Sequence, residues 1–274
     1  MKINCKGQLI DLSIPKVMGV MNVTPDSFFD GGKYKNEYEI VTRAGKILTD
    51  GATFLDIGAY SSRPGADFVS EQEEIDRIVP AIEIILKHFP DALLSIDTFR
   101  AEVAKASIES GAAIINDIAA GGLDDKMFDV IAKYNVPYIM MHMRGNPQTM
   151  QTMTDYEDII KEMLFYFSEK VAKARGLGIN DLILDPGFGF AKTTEQNYEV
   201  LQKMELFNVL ELPVLAGISR KSMIYKTLNI TAKEALNGTT VINTIALTKG
   251  AKILRVHDVK EAMECVTLFN KMSL

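Results

Sequence analysis

Short apolar runs alternate with longer amphipathic segments along almost the whole chain. Each run carries apolar residues on both faces of an extended backbone, which is typical of a parallel strand covered on both sides. The pattern therefore predicts a parallel sheet whose strands are separated by helices. The predicted strands are residues 17–20, 54–57, 93–96, 113–115, 138–141, 182–184, 214–216 and 253–256.

Polar residues at fixed spacing mark where the intervening helices begin. Ser70 with Glu73, and Thr193 with Gln196, have the spacing of a capping box, in which two side chains satisfy free backbone N–H groups at a helix start. Asp258 precedes the apolar positions of the last helix, and we expect it to cap that helix.

Glycine and proline indicate where helices end or bend. Gly111 and Gly176 lie where two helices are expected to stop. Pro80 lies inside the apolar pattern of the helix that follows Ser70. Because proline lacks the N–H that an α-helix needs, it predicts a kink or a break at that point.

The order of the elements predicts an α/β fold, a closed (β/α)₈ TIM barrel, for which about 250 residues is typical. Residues 3–12, with Lys6 and Gly7 as a turn, are expected to form an N-terminal β-hairpin that caps the barrel bottom. No sharp linker divides the chain, so residues 1–274 are expected to form one domain. The alternative is an open doubly wound sheet, but the glycine pattern of a dinucleotide site does not follow the first strand.

Composition limits the classes of partner and the cellular compartment that we expect for the protein. A net charge of −6 and a pI near 5.3 argue against nucleic acid or an anionic membrane, which usually bind a basic face. Cys5 and Cys265 lie at opposite ends of the chain, which favours two free thiols over a zinc site or a disulfide framework. The N-terminus lacks the apolar core of a signal peptide, and no apolar run approaches the ~20 residues of a membrane span. We therefore expect a cytoplasmic protein.

Polar residues follow the predicted strands at their carboxyl ends, where barrel enzymes place their chemistry. Singly, a strand-end Asp or Asn caps a helix or fixes a turn as often as it has a function, and His142 alone indicates a structural residue. Collectively, four such residues from four strands would be costly to bury without a ligand or mutual pairing. The set predicts a pocket for a flat heterocycle with several donors and acceptors, and consists of Asp97, Asn116, Asp185 and Lys221.

Cations lie beside this predicted pocket. Arg63, Arg220, Arg255 and His257 are placed to meet a phosphate group, and Asn22 supplies an uncharged oxygen ligand. Mg²⁺ takes oxygen ligands and usually keeps several waters, so few protein ligands are needed. The combination predicts a phosphorylated substrate bound with Mg²⁺.

Seven ordered motifs give the sequence a resemblance to the dihydropteroate synthase family over essentially its whole length. Together they are far more specific than a lone Gly-Phe-Gly. The motifs are GVMNVTPDSFFDGG (19–32), DIGAYSSRPGA (56–66), SIDTFR (95–100), INDIAA (115–120), ILDPGFGFAKTTEQN (183–197), AGISRKSMI (216–224) and LRVHDVKEA (254–262).

The resemblance implies a transferase of folate biosynthesis. Such an enzyme condenses 6-hydroxymethyl-7,8-dihydropterin diphosphate with 4-aminobenzoate to give 7,8-dihydropteroate and diphosphate. The resemblance also implies Mg²⁺ dependence, a homodimer, small-molecule partners only, and inhibition by sulfonamides. The alternatives are a pterin-binding methyltransferase that uses methyltetrahydrofolate, an inactive pterin-binding paralogue, and an aldolase with Lys221 as a Schiff-base lysine.

Matching positions carry the family's site residues over to this chain. Asp97, Asn116, Asp185 and Lys221 match the pterin pocket, and Asn22, Arg63, Arg255 and His257 match the diphosphate and metal region, with Asn22 as the metal ligand. Phe28, Ser62, Pro64, Phe190, Lys221 and Ser222 match the aminobenzoate side. The catalytic candidates are Asp97, Asp185, Lys221 and Arg63. Ser62 stands where the family often has threonine, so the packing against aminobenzoate is expected to differ slightly.

Overall fold

The computed structural model describes residues 1–23, 33–60 and 69–272, with the backbone alone at residues 33–36 and 151. The chain begins with an antiparallel hairpin of β1 (Lys2–Cys5) and β2 (Gln8–Asp11). Lys6 and Gly7 in its turn have φ angles of 52° and 82°. A type I′ hairpin turn has positive φ at both central positions, so the predicted hairpin and its turn are confirmed.

Parallel strands form a closed barrel in the order β10-β3-β4-β5-β6-β7-β8-β9. All eight predicted runs are strands of this barrel, which confirms the (β/α)₈ prediction. The strands are β3 (Lys16–Asn22), β4 (Phe54–Gly58), β5 (Leu93–Asp97), β6 (Ile114–Asp117), β7 (Tyr138–Met141), β8 (Leu182–Asp185), β9 (Val214–Ala216) and β10 (Ala251–Val256).

Helices follow the strands and cover the outside of the barrel, with 3₁₀ segments at Met150–Thr152 and Met204–Leu210. Their inner faces and the outward side chains of the strands form the large hydrophobic core. The helices are α1 (Lys33–Thr49), α2 (Glu71–His88), α3 (Ala101–Glu109), α4 (Met127–Tyr134), α5 (Ile159–Gly176), α6 (Thr194–Gln202), α7 (Ser222–Leu228), α8 (Leu236–Thr248) and α9 (Val259–Met272).

The interior of the barrel changes from apolar at the bottom to polar at the top. Side chains two residues apart on a strand share a face, so Phe54 and Asp56 both point inward, as do Ile183 and Asp185. The lower residue of each pair packs against the hairpin, while the upper one lies at the mouth of the barrel. The bottom cluster consists of Ile3, Cys5, Ile10, Leu12, Met18, Phe54, Leu93, Ala113, Ile114, Ile139, Ile183, Leu215 and Ile253. The hairpin therefore caps the barrel bottom, as predicted.

Most of the predicted helix ends are confirmed. The Ser70 side chain accepts a hydrogen bond from the backbone N–H of Glu73, and Thr193 with Gln196 forms a complete capping box. Gly111, at φ 108°, follows the end of α3. Asp258 directly precedes α9, but its carboxylate accepts two hydrogen bonds from Arg220 at 2.8 Å, and its role as the cap of α9 stays a prediction.

One prediction about a helix break needs correction. The sequence predicts a kink or a break at Pro80; the break is absent, because α2 runs from Glu71 to His88. Ile78, Ala81 and Ile82 are buried around the proline, and this packing outweighs the loss of one backbone hydrogen bond. The predicted stop at Gly176 is confirmed, since Gly176 is the last residue of α5, and Gly178, at φ 82°, is the left-handed residue that follows.

Cys5 and Cys265 are both free and buried, in agreement with the sequence prediction. Within residues 1–23, 33–60 and 69–272, no helix is both long enough and apolar enough to cross a membrane.

Candidate active site

Arg255 links two carboxylates at the mouth of the barrel. Its Nε donates to Oδ2 of Asp56 at 2.7 Å, and its Nη2 donates to Oδ2 of Asp97 at 2.6 Å. The three side chains come from β10, β4 and β5, and each points inward from its strand. This ion pairing fixes the plane of the guanidinium group, because the fork geometry of arginine matches carboxylate oxygens.

Asp56 is fully buried and is held by further hydrogen bonds. Ser95 Oγ donates to its Oδ1 at 2.6 Å, and Asn116 Nδ2 lies 3.3 Å from both of its oxygens. Asp56 and Ser95 are register partners on β4 and β5. The prediction from sequence gave Asp56 no role, although its place two residues after the inward Phe54 was a signal that it belongs to the site.

Asp97 and Asn116 are register partners on β5 and β6, so they reach the mouth of the barrel side by side. Asn116 is 4% exposed, whereas Asp97 is partly exposed to the mouth. Burial raises the pKa of Asp97 above its usual range, and the Arg255 guanidinium opposes that shift. The pair therefore offers an acceptor and an amide at one edge of the cavity.

Asp185 ends β8 and is 6% exposed. Its Oδ1 accepts the backbone N–H of Gly187 at 2.8 Å. Burial raises the pKa of Asp185, against the opposing effects of Lys221, the Gly187 N–H and Arg255. Within the described residues, Oδ2 of Asp185 accepts no hydrogen bond, so one carboxylate oxygen faces the cavity without a protein donor.

Lys221 lies between Asp185 and an aromatic ring. Its Nζ donates to the backbone carbonyl of Phe188 and lies 4.7 Å from the centre of the Phe190 ring. Burial lowers the pKa of Lys221 to about 8, and the Asp185 carboxylate opposes that shift. Ser222 follows directly as the first residue of α7.

Phe190 also belongs to an apolar wall beside these polar groups. Its ring and that of Phe99 pack against a cluster at the mouth that includes Met141, Met143 and Ala191. The polar pocket and the apolar wall are therefore adjacent, which is the arrangement that a flat polar ring joined to a phenyl ring requires.

The two glycines of the sequence DPGFGF both have positive φ, and close packing also excludes a side chain at Gly187. A Cβ atom on Gly187, at φ 67°, would lie 2.3 Å from the carbonyl oxygen of His142. A Cβ atom on Gly189, at φ 81°, would lie 3.2 Å from Cδ of Lys221. The two glycines let the loop approach the end of β7 and the site lysine.

Asn22 and His257 lie at the edge of the site. The Asn22 Oδ1 atom and the Asp97 Cβ atom lie 3.6 and 3.5 Å from the position where a Cβ of Gly58 would be, so both side chains lie beside Gly58 at the mouth of the barrel. His257 is exposed, and its Nδ1 lies 3.1 Å from Ser219 Oγ. Arg220, in contrast, is engaged by Asp258 and by the carbonyls of Ala232 and Lys233.

Four predicted site residues lie outside the described residues: Phe28, Ser62, Arg63 and Pro64. In the part of the chain that the structure does describe, no group of three or more His, Cys, Asp or Glu side chains is placed to hold a metal ion.

A family model described as pterin binding enzyme matches residues 18–257 of this chain. The chain is 43% identical over 268 residues to the dihydropteroate synthase of Escherichia coli (strain K12), and the match covers 97% of this chain and 94% of that protein. This chain belongs to the dihydropteroate synthase family.

Solved structures of the family have the same fold. The dihydropteroate synthase of Yersinia pestis with a sulfonamide drug has a TM-score of 0.93 at 41% identity, covering 100% of this chain and 99% of that chain. The dihydropteroate synthase of Xanthomonas albilineans with 4-aminobenzoic acid has a TM-score of 0.91 at 35% identity, covering 99% and 98% of the two chains. The resemblance of the motifs is thus confirmed, and the chain is an enzyme of the dihydropteroate synthase class rather than a methyltransferase or an inactive paralogue.

Proposed function

We propose that the site at the barrel mouth joins 4-aminobenzoate to 6-hydroxymethyl-7,8-dihydropterin diphosphate, with release of diphosphate. The observation that carries the proposal is the convergence of Asp97, Asn116 and Asp185 with the cations Lys221 and Arg255 on one cavity. The complexes of the Yersinia pestis relative with a sulfonamide drug and of the Xanthomonas albilineans relative with 4-aminobenzoic acid support it.

The pterin binds through its amino edge to Asp185. One carboxylate oxygen is oriented by the Gly187 N–H, and the other is directed to the ligand, so the amino group and the adjacent ring N–H meet a planar acceptor pair. Asp97 and Asn116 bind the remaining polar edge. Lys221 completes the pocket from the side of Phe190.

The diphosphate lies on the cationic side of the pocket. Nε and Nη2 of Arg255 are held by carboxylates, and within the described residues Nη1 has no protein acceptor. Nη1 therefore donates to the diphosphate together with His257, which lies beyond the end of β10, and with Arg63. Asp56 is a positioning residue, because it acts on the substrate only through Arg255.

Departure of the diphosphate precedes attack by the amine. The aniline nitrogen is a weak nucleophile because its lone pair is conjugated with the ring, so its attack gives little assistance to the departure of the diphosphate. The bond between the methylene carbon and the phosphate oxygen breaks, and its electron pair leaves with the diphosphate. Asp97 and Asp185 stabilise the positive charge that spreads into the pterin, which is the electrostatic effect that usually dominates catalysis.

The amine then forms the new bond to the methylene carbon and releases its proton to solvent or to the diphosphate. Because the nitrogen becomes strongly acidic once it is bonded to carbon, the reaction needs no dedicated general base. Phe190, with Phe28, Ser62, Pro64 and Ser222, binds the aminobenzoate ring, and the apolar wall limits access of water to the cation.

The proposal includes Mg²⁺, with Asn22 as its protein ligand. Asn22 offers a hard amide oxygen close to Asp97, and an ion that keeps most of its waters and binds the substrate's phosphates needs few protein ligands. The residues therefore fit Mg²⁺ bound with the substrate. When bound, Mg²⁺ would neutralise part of the charge of the leaving diphosphate.

The proposal also includes a homodimer. Two helices that pack against each other, α8 and α9, each expose an apolar pair four residues apart. On α8 these are Val241 and Ile245, 50% and 38% exposed, and on α9 they are Leu268 and Met272, 68% and 71% exposed. Adjacent pairs of this kind support self-association through these two helices.

A cytoplasmic location, without nucleic-acid or membrane partners, stays a prediction. Free buried thiols at Cys5 and Cys265 agree with a reducing compartment. Cell fractionation with an antibody to the chain tests this location, and enrichment in a secreted or membrane fraction would contradict it.

The decisive experiment measures diphosphate release from the purified protein. We expect release from the dihydropterin diphosphate to depend on 4-aminobenzoate, with 7,8-dihydropteroate formed in equal amount, and a sulfonamide to compete with 4-aminobenzoate. Diphosphate release that does not depend on 4-aminobenzoate, or methyl transfer from methyltetrahydrofolate, would overturn the proposed reaction. Borohydride with a carbonyl substrate should leave Lys221 unmodified, since trapping there would indicate an aldolase.

A further inference from the structure

Lys192 lies in the loop between β8 and α6, and its side chain turns into the protein, with 8% of the residue exposed. Its Nζ lies 3.1 Å from each of three atoms: the carbonyl oxygen of Gly187, the carbonyl oxygen of Phe190 and Nδ1 of His142. Lys192 therefore links two residues of its own loop, Gly187 and Phe190, to His142 at the end of β7.

The number of partners matches a protonated lysine. A lysine ammonium has three N–H donors, and here it meets three acceptors. Burial and the charge of Lys192 hold the pKa of His142 well below its usual range, so His142 is neutral. Because an ammonium only donates, Nδ1 of His142 is the unprotonated nitrogen, and its proton lies on Nε2.

The loop that Lys192 holds carries the central groups of the site. The N–H of Gly187 donates to Asp185 Oδ1, and the Phe188 carbonyl between the two tied residues accepts from Lys221. Phe190 supplies the apolar wall. Asn197 fixes a fourth point, since its Oδ1 accepts the Gly189 N–H at 2.7 Å. Any change in the position of Gly187 or Phe190 therefore moves the pterin acceptor and the aminobenzoate wall together.

We propose that Lys192 is a positioning residue for both substrates, which as an ammonium holds the loop 186–193 so that the Asp185 carboxylate and the Phe190 ring face the cavity together. The proposal rests on the proposed function, because it assigns those two residues to the two substrates. Lys192 acts without touching either substrate, since its Nζ is occupied by protein acceptors and its side chain is buried.

The charge of Lys192 is sensitive to pH. Burial lowers the pKa of Lys192 to about 7, against the opposing effect of the Asp185 carboxylate. The charged and titratable groups that face it are Asp185 from β8, His142 and Arg144 from the end of β7, and Lys221 at the start of α7. A neutral amine has two N–H donors for the three acceptors, so loss of the proton removes one of the three hydrogen bonds. Substrate binding therefore weakens as the pH rises through this range.

The test compares Lys192→Met with Lys192→Arg, and uses Lys170→Met as the matched control. Lys170 is another lysine whose pKa is lowered by burial, but it lies on α5, where its Nζ is 5.6 Å from the centre of the Tyr166 ring. We expect Lys192→Met to raise KM for both substrates about tenfold, with a smaller change in kcat, because the loss of hydrogen bonds to a charged group is on this scale. Lys170→Met should leave both KM values unchanged.

The pH profile distinguishes a positioning role from a merely structural one. In the wild type, kcat/KM should fall on the alkaline side, beginning with Lys192 at about 7 and continuing with Lys221 at about 8. In Lys192→Arg the guanidinium keeps its proton, so the start of the alkaline fall should move up by about one pH unit, and KM should recover part of the loss seen in Lys192→Met.

The outcomes separate the two proposals. If the wild type releases diphosphate in response to 4-aminobenzoate but Lys192→Met keeps both KM values within about twofold of it, the positioning role is wrong and the proposed reaction stands. If the wild type shows no such release, the proposed reaction is wrong, and the role of Lys192 in it is wrong as well. If Lys192→Met does not fold, as judged by circular dichroism, the pH profile of Lys192→Arg tests the proposal. An alkaline fall of kcat/KM at the same pH as in the wild type overturns the proposal, and a fall that begins at higher pH supports it.

Discussion

The guanidinium of Arg255 lies 2.7 Å from the carboxylate of Asp56, although the two residues are 199 positions apart in the chain. Closure of the barrel produces this contact, because β10 pairs with β3 and β3 pairs with β4. Asp56 is fully buried, so its charge is balanced inside the protein. The orientation of Arg255 therefore depends on a residue that is not predicted to bind a substrate.

Asp56→Asn is expected to impair both stability and activity. The substitution removes one of the two carboxylates that pair with Arg255 and leaves Asp97 as the other, so we expect a loss of about 2 kcal/mol in the free energy of unfolding, measured by urea denaturation. The value of kcat/KM should fall about a hundredfold, because Arg255 loses its fixed orientation. Glu199→Gln, in the exposed pair with Lys203, should leave the free energy of unfolding almost unchanged. Equal effects of the two substitutions would contradict the role given to Asp56.

Asp185→Asn is expected to abolish most of the activity and to preserve the fold. The amide presents donors where the pterin presents donors, so we expect kcat/KM to fall by a factor of roughly a hundred to a thousand. Calorimetry with the pterin substrate should show weakened binding, while circular dichroism stays unchanged. A variant with near-normal kcat/KM would show that Asp185 does not hold the pterin.

The same substitution gives a prediction about pH and stability. Burial raises the pKa of Asp185 above its unfolded value, so between the two pKa values the folded state binds more protons than the unfolded state. The free energy of unfolding that Asp185 contributes therefore decreases as the pH rises through that window. Urea denaturation should show the stability of Asp185→Asn improving relative to the wild type as the pH rises from the usual range of an aspartate. A difference that shrinks with rising pH would have the wrong sign.

Asn22→Ala is expected to act mainly through Mg²⁺. We expect the Mg²⁺ concentration that gives half-maximal diphosphate release to rise about tenfold, because the ion loses its protein ligand while keeping its waters and phosphate ligands. Asn22→Asp, which keeps an oxygen at this position, serves as the conservative control and should retain Mg²⁺ binding. An unchanged Mg²⁺ titration in Asn22→Ala would count against the assignment.

Leu268→Lys is expected to weaken the proposed homodimer. Leu268 is 68% exposed on α9, and a charge buried at an interface without a partner is costly. Light scattering after gel filtration should give a lower mass for this variant at micromolar concentration. Leu9→Lys, at a position 65% exposed on the hairpin, is the matched control and should leave the mass unchanged. A monomeric wild type would refute the dimer itself.

Local patterns were sufficient to predict the strands, the hairpin turn and two helix starts. A run such as residues 182–184 is apolar on both faces because its strand lies between the barrel interior and the helices. Lys6 and Gly7 indicate a turn because both adopt positive φ. These features depend on residues that are close together in the chain, so they are readable without the fold. Pro80 is the counterexample, since tertiary packing keeps α2 unbroken around it.

The sequence by itself determined the barrel, the family and the strand ends that meet at the mouth, including Asp97, Asn116 and Asp185. Only the tertiary structure decided which partners those groups have, such as Asp56 for Arg255 and the three acceptors for Lys192. The physical reason is that strand periodicity is a local property, whereas the hydrogen bonds of a buried charge depend on the register and closure of strands that lie far apart in the chain.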